Sequence, residues 1–379
     1  MDNIYNIMTI EITKASDIIK SEQPIEQNVG GGQMQVQNQE EKENKDLLSG
    51  SKLTIADIAE ELGVSKTTVS RAISGKGRIG KDTVQRVIEC IEKYNYKPSS
   101  IAKGLANSKT YNIGVAFPAD ANLSSTPFFQ VCLLGVCEVA AAMDYDVVVT
   151  TVKETDINLL KRIVDHNKVD GMILTRNFTN DIATEYLKQK GIPFVLVGSS
   201  EDDTVVQVDN NHREACEKLV SLLLADGVGR IALIAGDKKH IVNRSRCEGY
   251  YNALKNRGVD IEQDMVFSDC DSPVFIEQAV RYLLKKQTEC IVCTDDVICA
   301  KVLSLLREEG YSVPGDMKVA SFYDSVHLET NNPPVTAIGI DVEELGNVAG
   351  KRLIEIINGD ISTHKTILDY EIHLRRSTQ

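Results

Sequence analysis

The sequence predicts a small all-α helix-turn-helix headpiece followed by a larger α/β module of two lobes. Three observations predict it. Between residues 54 and 94, apolar positions recur at helical spacing, broken by residues that cap and turn helices. From residue 112 onward, apolar runs of strand length alternate with helix-length stretches, which argues for parallel sheets covered by helices on both faces. That alternation also starts twice, at Asn112-Ile-Gly-Val and at Arg230-Ile-Ala-Leu-Ile, as two similar lobes would require.

In the headpiece, Thr54 with Asp57 three residues on forms a capping-box pattern that satisfies free N–H groups at a helix start. Ile55, Ile58, Ala59 and Leu62 then share one face. Gly63 supplies a turn, and Ser65 can cap a second helix two residues later. In that second helix Val69, Ala72 and Ile73 point inward, leaving Lys66, Thr67, Ser70, Arg71 and Ser74 opposite. A helix this small, with its donors on one side, has the shape of a major-groove reader. The plainer reading is a helical bundle whose polar face meets only water.

Pro98 stops a third helix, because the residue before proline avoids the α region. Ser99 or Ser100 can cap a short further helix with Ile101, Ala102 and Leu105 on one side. A helix under ten residues is marginal in water, so it is expected to order only when two copies pack together. Gly104 costs such a helix roughly 1 kcal/mol relative to alanine.

Charge supports this division. The net charge is −13, yet residues 51–110 hold 11 Lys and Arg against 6 Asp and Glu. Residues 1–50 hold 4 against 9, and residues 111–379 hold 27 against 40. The positive charge therefore lies where phosphate neutralisation needs it. Residues 1–50, with Gly30-Gly31-Gly32 and the run EEKENKD, are expected to be a disordered extension, unless translation begins later, at Met34 for example. No stretch approaches the roughly 18 apolar residues of a membrane span, and no signal-peptide core is present, so a cytoplasmic, nucleoid-associated protein is expected. The nine cysteines, including Cys290-x-x-Cys293, read as reduced core residues, since no second ligand pair accompanies them. No metal or cofactor is expected.

The segment from Thr54 through Ala106, above all V-S-x-x-T-V-S-R from Val64 to Arg71, resembles the headpiece of the lactose/galactose repressor family of bacterial transcription regulators. The resemblance implies that Lys66, Thr67 and Arg71 touch base edges while Thr54, Ser65, Thr68 and Ser70 hold phosphates. Ser74, Arg78 and Ala102 are counted with the DNA-facing residues. Leu105 would be pushed between base steps from the minor groove. Family members usually begin near the first helix, so residues 1–50 depart from the pattern. The domains expected are thus the extension over 1–50, a DNA-binding headpiece over 51–97, a hinge over 98–110 and an effector and dimerisation domain over 111–379.

That last domain shows strand-like runs at 113–117, 147–152, 171–175, 194–198, 231–235, 290–293 and 319–322. Helical stretches are clearest at 130–143, 215–225, 245–256, 275–285, 300–309 and 343–357. It resembles the periplasmic-binding-protein-like effector module of the same family, one lobe from 111–209 with 341–365 and the other from 210–340 with 366–379. The tail EIHLRRSTQ is similar to the ends of dimeric members, with no leucine-heptad extension, so a homodimer is expected.

A cleft that recognises a sugar needs planar hydrogen bonders and an aromatic or apolar surface. Strand-end positions supply them: Asp209 in QVDNN, Arg246 in RCEGY, Asp295 and Asp296 after Cys293, and Asp324 in SFYDS. Phe128 and Phe129 are placed to stack on a ring. Asp209 serves equally well as a helix N-terminal charge, and Asp296 is expected to cap the following helix. By resemblance, Arg246 matches an arginine that clamps effector, and Asp324 falls in the G-[FY]-[DN]-[DN] turn, although Ser321 replaces its glycine. VDNN, CTDD and PPVTAIGIDVEELG are similar to the maltose/α-glucoside branch. Arg176 stands where that branch tends to carry tyrosine, and suits an anionic ligand or solvent.

The function expected is a sequence-specific transcriptional regulator, a repressor of carbohydrate genes. It would bind a pseudo-palindromic operator in double-stranded DNA under control of a small sugar-type effector. A second possibility is a global catabolite regulator with a phosphorylated carrier protein as corepressor. A third is an α/β enzyme using Asp295-Asp296 with His240 or His327. The absence of a Gly-rich phosphate loop, a GxSxG elbow or a metal-ligand cluster in the sequence argues against it.

Overall fold

The computed structural model describes residues 54–74, 78–94, 104, 108–120, 126–360 and 363–379. Expectations for the N-terminal extension, Ala102 and Leu105 lie outside the described residues, as does the side chain of Ser74. The chain divides into two compact units between Pro98 and Ser99.

In the smaller unit three helices form: α1 (Ile55–Leu62), α2 (Lys66–Ser74) and α3 (Lys81–Lys93). The capping box at Thr54 is complete, with the Thr54 N–H donating to Asp57 at 2.6 Å and the Ala56 and Asp57 N–H groups donating to the Thr54 hydroxyl. Gly63 turns the chain at φ 64°, a left-handed conformation that glycine adopts without steric cost. Ile58, Ala59, Val69, Ala72, Val87 and Cys90 fill the core between the helices. Around it, Arg86 donates to the Leu62 carbonyl, and Lys93 and Tyr94 both donate to Glu61, so α3 pins the end of α1.

The larger unit opens with β1 (Asn112–Pro118), α4 (Phe128–Ala142), β2 (Asp146–Val152), α5 (Asn158–Asp165) and β3 (Gly171–Leu174). Next come α6 (Ile182–Lys190), β4 (Phe194–Val197) and β5 (Gln207–Asn210). The second lobe follows as α7 (His212–Ala225), β6 (Ile231–Ile234), α8 (Ile241–Asn256), β7 (Val266–Phe267) and α9 (Pro273–Leu283). It continues through β8 (Cys290–Cys293), α10 (Asp296–Glu308), β9 (Lys318–Ser321), α11 (Val326–Glu329) and β10 (Thr336–Gly339). The chain then returns to the first lobe as α12 (Val342–Ile357) and β11 (Lys365–Leu368), and ends in the second with β12 (Glu371–His373).

The first sheet runs β11-β5-β4-β3-β1-β2, every pair parallel. The second runs β12-β10-β9-β8-β6-β7, with only β12 antiparallel. Buried apolar clusters line both sheets. Three segments join the lobes: after β5, between β10 and α12, and between β11 and β12.

The last of these corrects an expected boundary. Residues 366–368 stay with the first lobe, because the open edge of β5 takes β11 as a partner from Lys365 opposite Gln207 to Leu368 opposite Asn210. The crossing therefore falls at Asp369-Tyr370. Cys290 and Cys293 lie buried in the central strand β8, and all nine cysteines are free. Among the described residues, no helix is long and apolar enough to cross a membrane.

Candidate functional site

On α2, burial of Val69 and Ala72 turns Lys66, Thr67, Ser70 and Arg71 to the exposed side, at the i, i+1, i+4, i+5 spacing of one helix face. Thr54, Ser65 and Arg78 are exposed as well, and Thr68 is half-buried. The Ser65 hydroxyl accepts the Thr68 N–H at 3.1 Å and lies 2.9 Å from the Thr68 hydroxyl. Both groups thus begin α2 as its cap, while Lys66, Thr67 and Ser70 are exposed.

In the larger unit the cleft is lined from both lobes. Phe128 and Phe129 open α4 and meet edge-on, with centroids 5.3 Å apart and planes at 90°. Phe129 is buried; the Arg176 guanidinium lies 5.8 Å from its ring and is gripped by both oxygens of Asp120, at 2.8 and 2.9 Å. From the second lobe, Tyr323 faces Phe128 at 6.2 Å and in turn lies under the Arg246 guanidinium at 5.9 Å.

Arg246 is 7% exposed. It donates to the Thr294 carbonyl at 2.8 Å, while its buried Nε has no hydrogen-bond partner. An orphaned charged donor in a low-dielectric site is costly, so this one is poised for an acceptor. Burial pushes the Tyr323 phenol up, and it keeps the Asp296 carboxyl above the ordinary aspartate value despite Arg246 nearby.

The cap of α10 falls on Asp295 and not on Asp296, where it was expected. Asp295 accepts the Ile298 N–H at 2.9 Å, whereas Asp296 is buried within the first turn. The reason is geometric: Asp295 alone has the extended backbone of a cap, φ −148° and ψ 172°.

Among the described residues, no hydrogen bond or ion pair links Asp209 or Asp324 to Phe128, Tyr323 or Arg246. Asp209 is buried at the end of β5, 3.4 Å from His212, and lines a cavity of about 360 Å³ with Ser199, Arg244 and Lys365. Asp324 is held by Arg375 and His373. The side chain that the SFYDS turn contributes to the cleft is Tyr323, one residue earlier. The signal for it was the third position of the G-[FY]-[DN]-[DN] pattern, where this chain carries an aromatic residue in place of an acid.

The lobes also touch beside the cleft. Thr179 donates its N–H to the Lys239 carbonyl at 3.0 Å, and the Lys239 ammonium meets Glu154 at 3.1 Å. Phe178 and His240 stack with centroids 4.9 Å apart. Burial first, and then the charge of Arg176, lowers the His240 pKa below the usual imidazole value. Among the described residues, no group of three His, Cys, Asp or Glu side chains is placed to hold a metal.

Comparison with known proteins finds family matches over both units. Residues 54–99 match the family described as bacterial regulatory proteins, lacI family. Residues 110–372 match periplasmic binding proteins and the sugar binding domain of the LacI family. Catabolite control protein A of Streptococcus mutans is 28% identical over 334 residues, covering 86% of this chain and 98% of that relative. The transcriptional regulator MalR of Streptococcus pneumoniae is 29% identical over 315 residues, covering 81% and 93%. Among solved structures, a CelR–cellobiose complex superposes with a TM-score of 0.66 at 25% identity, over 86% of this chain and 99% of that one. The lac repressor dimer bound to operator shares the fold, with a TM-score of 0.71 at 22% identity over 86% and 99%. A helix-turn-helix headpiece, a two-lobed module with an aromatic and arginine-lined cleft, and family matches over both units lead to one conclusion: the chain belongs to the LacI family of bacterial transcriptional regulators.

Proposed function

We propose that the chain binds a pseudo-palindromic operator as a homodimer and represses carbohydrate genes, with its DNA affinity set by a small sugar-type ligand in the cleft. The observation that carries the reading is the face of α2, where Lys66, Thr67, Ser70 and Arg71 stand exposed over a packed three-helix core. Such a face offers donors to base edges and phosphates at once. In the cleft, Phe128 and Tyr323 suit the apolar face of a sugar ring, and Arg246 suits its hydroxyl oxygens.

A second copy has a surface to cover. Val274 and Phe275 on α9, Val297 on α10 and Val326 on α11 are 60, 56, 46 and 71% exposed. They stand in the first turns of three helices that pack in sequence. On this reading the protein works in the cytoplasm on nucleoid DNA, by binding and not by catalysis. Fluorescence anisotropy on DNA upstream of its own gene, with and without a sugar panel containing maltose and cellobiose, tests partner, ligand and direction of response together. Salt-erased, sequence-blind binding that no sugar changes would refute it.

The relatives named catabolite control protein A favour a second reading, in which a phosphorylated carrier protein acts as corepressor. Pull-down with a phosphorylated carrier protein, compared with its unphosphorylated form, separates the two.

A further inference from the structure

We infer that Lys109 is a positioning residue that transmits the state of the ligand cleft to the hinge, through α4 and α12 acting as one rigid pair. The inference rests on the reading of the chain as an operator-binding regulator. Because α4 connects β1 to β2 and α12 leads into β11, all strands of one parallel sheet, both helices run from the cleft side to the opposite base.

Their backbones are in close approach. A Cβ on Gly346 of α12 would lie 2.1 Å from the Cys132 carbonyl oxygen of α4, and one on Gly135 would lie 2.1 Å from that of Glu343. Packing this tight leaves little room for sliding, so displacement at one end is carried to the other.

Each helix begins at the cleft. Phe128 opens α4 against Tyr323, and α12 starts directly after the lobe crossing at Ile340, capped by Asp341. Each ends on Lys109. Its ammonium donates to the side-chain carbonyl of Asn358, the residue that caps α12, at 2.6 Å, and to the Tyr145 hydroxyl, just beyond α4, at 3.4 Å. The backbone N–H of Lys109 donates to the Gly104 carbonyl at 3.0 Å, inside the expected hinge. A Cβ on Gly104 would lie 2.5 Å from the Lys109 carbonyl oxygen, which explains a glycine that helix propensity alone disfavours.

The next two residues are fixed to the sheet. Asp170, just before β3, accepts the Thr110 N–H at 2.7 Å, the Thr110 hydroxyl at 2.9 Å and the Tyr111 N–H at 2.9 Å. Lys109 is thus the side chain between an anchored point and the hinge, and it is held by the ends of both helices that reach the cleft.

The test is a double-mutant cycle that needs no known ligand. The full-length protein first selects a duplex from a random-sequence pool. The affinity of that duplex is then measured by anisotropy for the wild type, Phe128→Leu, Lys109→Met and the double variant. Phe128→Leu disturbs the cleft end and is expected to shift operator affinity about tenfold in the wild-type background, a typical coupling. In the Lys109→Met background its effect should fall to within about twofold. Asn358→Leu should reproduce the uncoupling, and Lys109→Arg, which keeps a donor, should retain the coupling. Thermal melts of the variants matching the wild type show that the loss is not unfolding. An equal Phe128→Leu effect in both backgrounds, or none in either, overturns the inference. A wild type that enriches no duplex removes the DNA-binding reading itself, and the coupling falls with it.

Discussion

Arg375 holds Asp324 by both carboxylate oxygens, at 2.8 and 2.7 Å, and His373 adds a third contact at 2.8 Å. Arg375 also donates to the Val335 carbonyl, so the acid is tied to β12 and to the residue before β10. Both partners are largely buried, at 12 and 16% side-chain exposure. Removing one member of such a pair leaves an uncompensated buried charge. Asp324→Ala is therefore expected to lower stability by about 3 kcal/mol, read from urea unfolding. Sugar affinity of the folded variant should stay within about twofold, since the Asp324 carboxylate is engaged by Arg375 and His373. A selective loss of ligand affinity with unchanged stability would return Asp324 to the ligand site.

The same network predicts a pH dependence. Hydrogen bonds donated by the imidazolium to Asp324 and then to Glu371 raise the His373 pKa above the ordinary imidazole value, against burial and the nearby Arg375. A raised histidine pKa contributes stability that is full below about pH 6.5 and is lost as pH rises through the folded value. Burial would raise the Asp324 carboxyl, but the hydrogen bonds from Arg375 and His373 outweigh it and lower its pKa. Its contribution is present above about pH 4 and is lost as pH falls through that lowered value. Thermal midpoints should drop as pH rises above about 6.5, and His373→Gln should flatten that slope. An unchanged slope in the variant would show that His373 titrates normally.

Arg246 carries the third prediction. Its guanidinium has one carbonyl partner, one ring beneath it and an unpartnered buried Nε. Arg246→Ala removes the charged donor without touching the headpiece. Affinity for whichever sugar elicits a response should fall by about 2 kcal/mol, some thirtyfold, as expected for a charge-assisted hydrogen bond. Ligand-free operator affinity should change by less than about threefold. Isothermal titration and anisotropy read the two quantities separately. A full sugar response in the variant would move the ligand site elsewhere, with the cavity beside Asp209 as the next place to look.

Much of the fold was legible because its strongest signals are local. The cap at Thr54, the turn at Gly63 and the apolar stripe through Val69 and Ala72 each act within one or two helical turns, and the structure has all three. The central strands read well because a strand buried on both faces is a continuous apolar run, as in Cys290–Cys293. Edge elements were not legible. Lys365–Leu368 and Glu371–His373 are short, polar and half-exposed, and only distant partners make them strands. The cap of α10 was expected one residue late, at Asp296 instead of Asp295, because either of two neighbouring acids can cap a helix. In the site, residue types were visible but their directions were not. Neighbouring acids at 295 and 296, or Tyr323 beside Asp324, part company only once the backbone torsions and the partners on β12 are set.

The last prediction concerns the second copy. Phe275 is 56% exposed at the start of α9, beside Val274 at 60%, with Val297 and Val326 at or beside the starts of the following helices. Single exposed apolar residues need no explanation, but four in the first turns of helices that pack together offer apolar area to a second copy. If a second copy covers it, an acid at its centre must be desolvated on association without a partner, at a cost of several kcal/mol. Phe275→Glu is therefore expected to shift sedimentation from dimer to monomer at micromolar concentration. The folded monomer should keep its thermal midpoint, because the side chain it changes already lies mostly in water. Operator affinity should fall by at least about a hundredfold, since a single headpiece reaches one half-site and loses the gain from linking two. A variant that remains dimeric, or a monomeric variant that holds the operator as tightly as the wild type, would place the interface on another face.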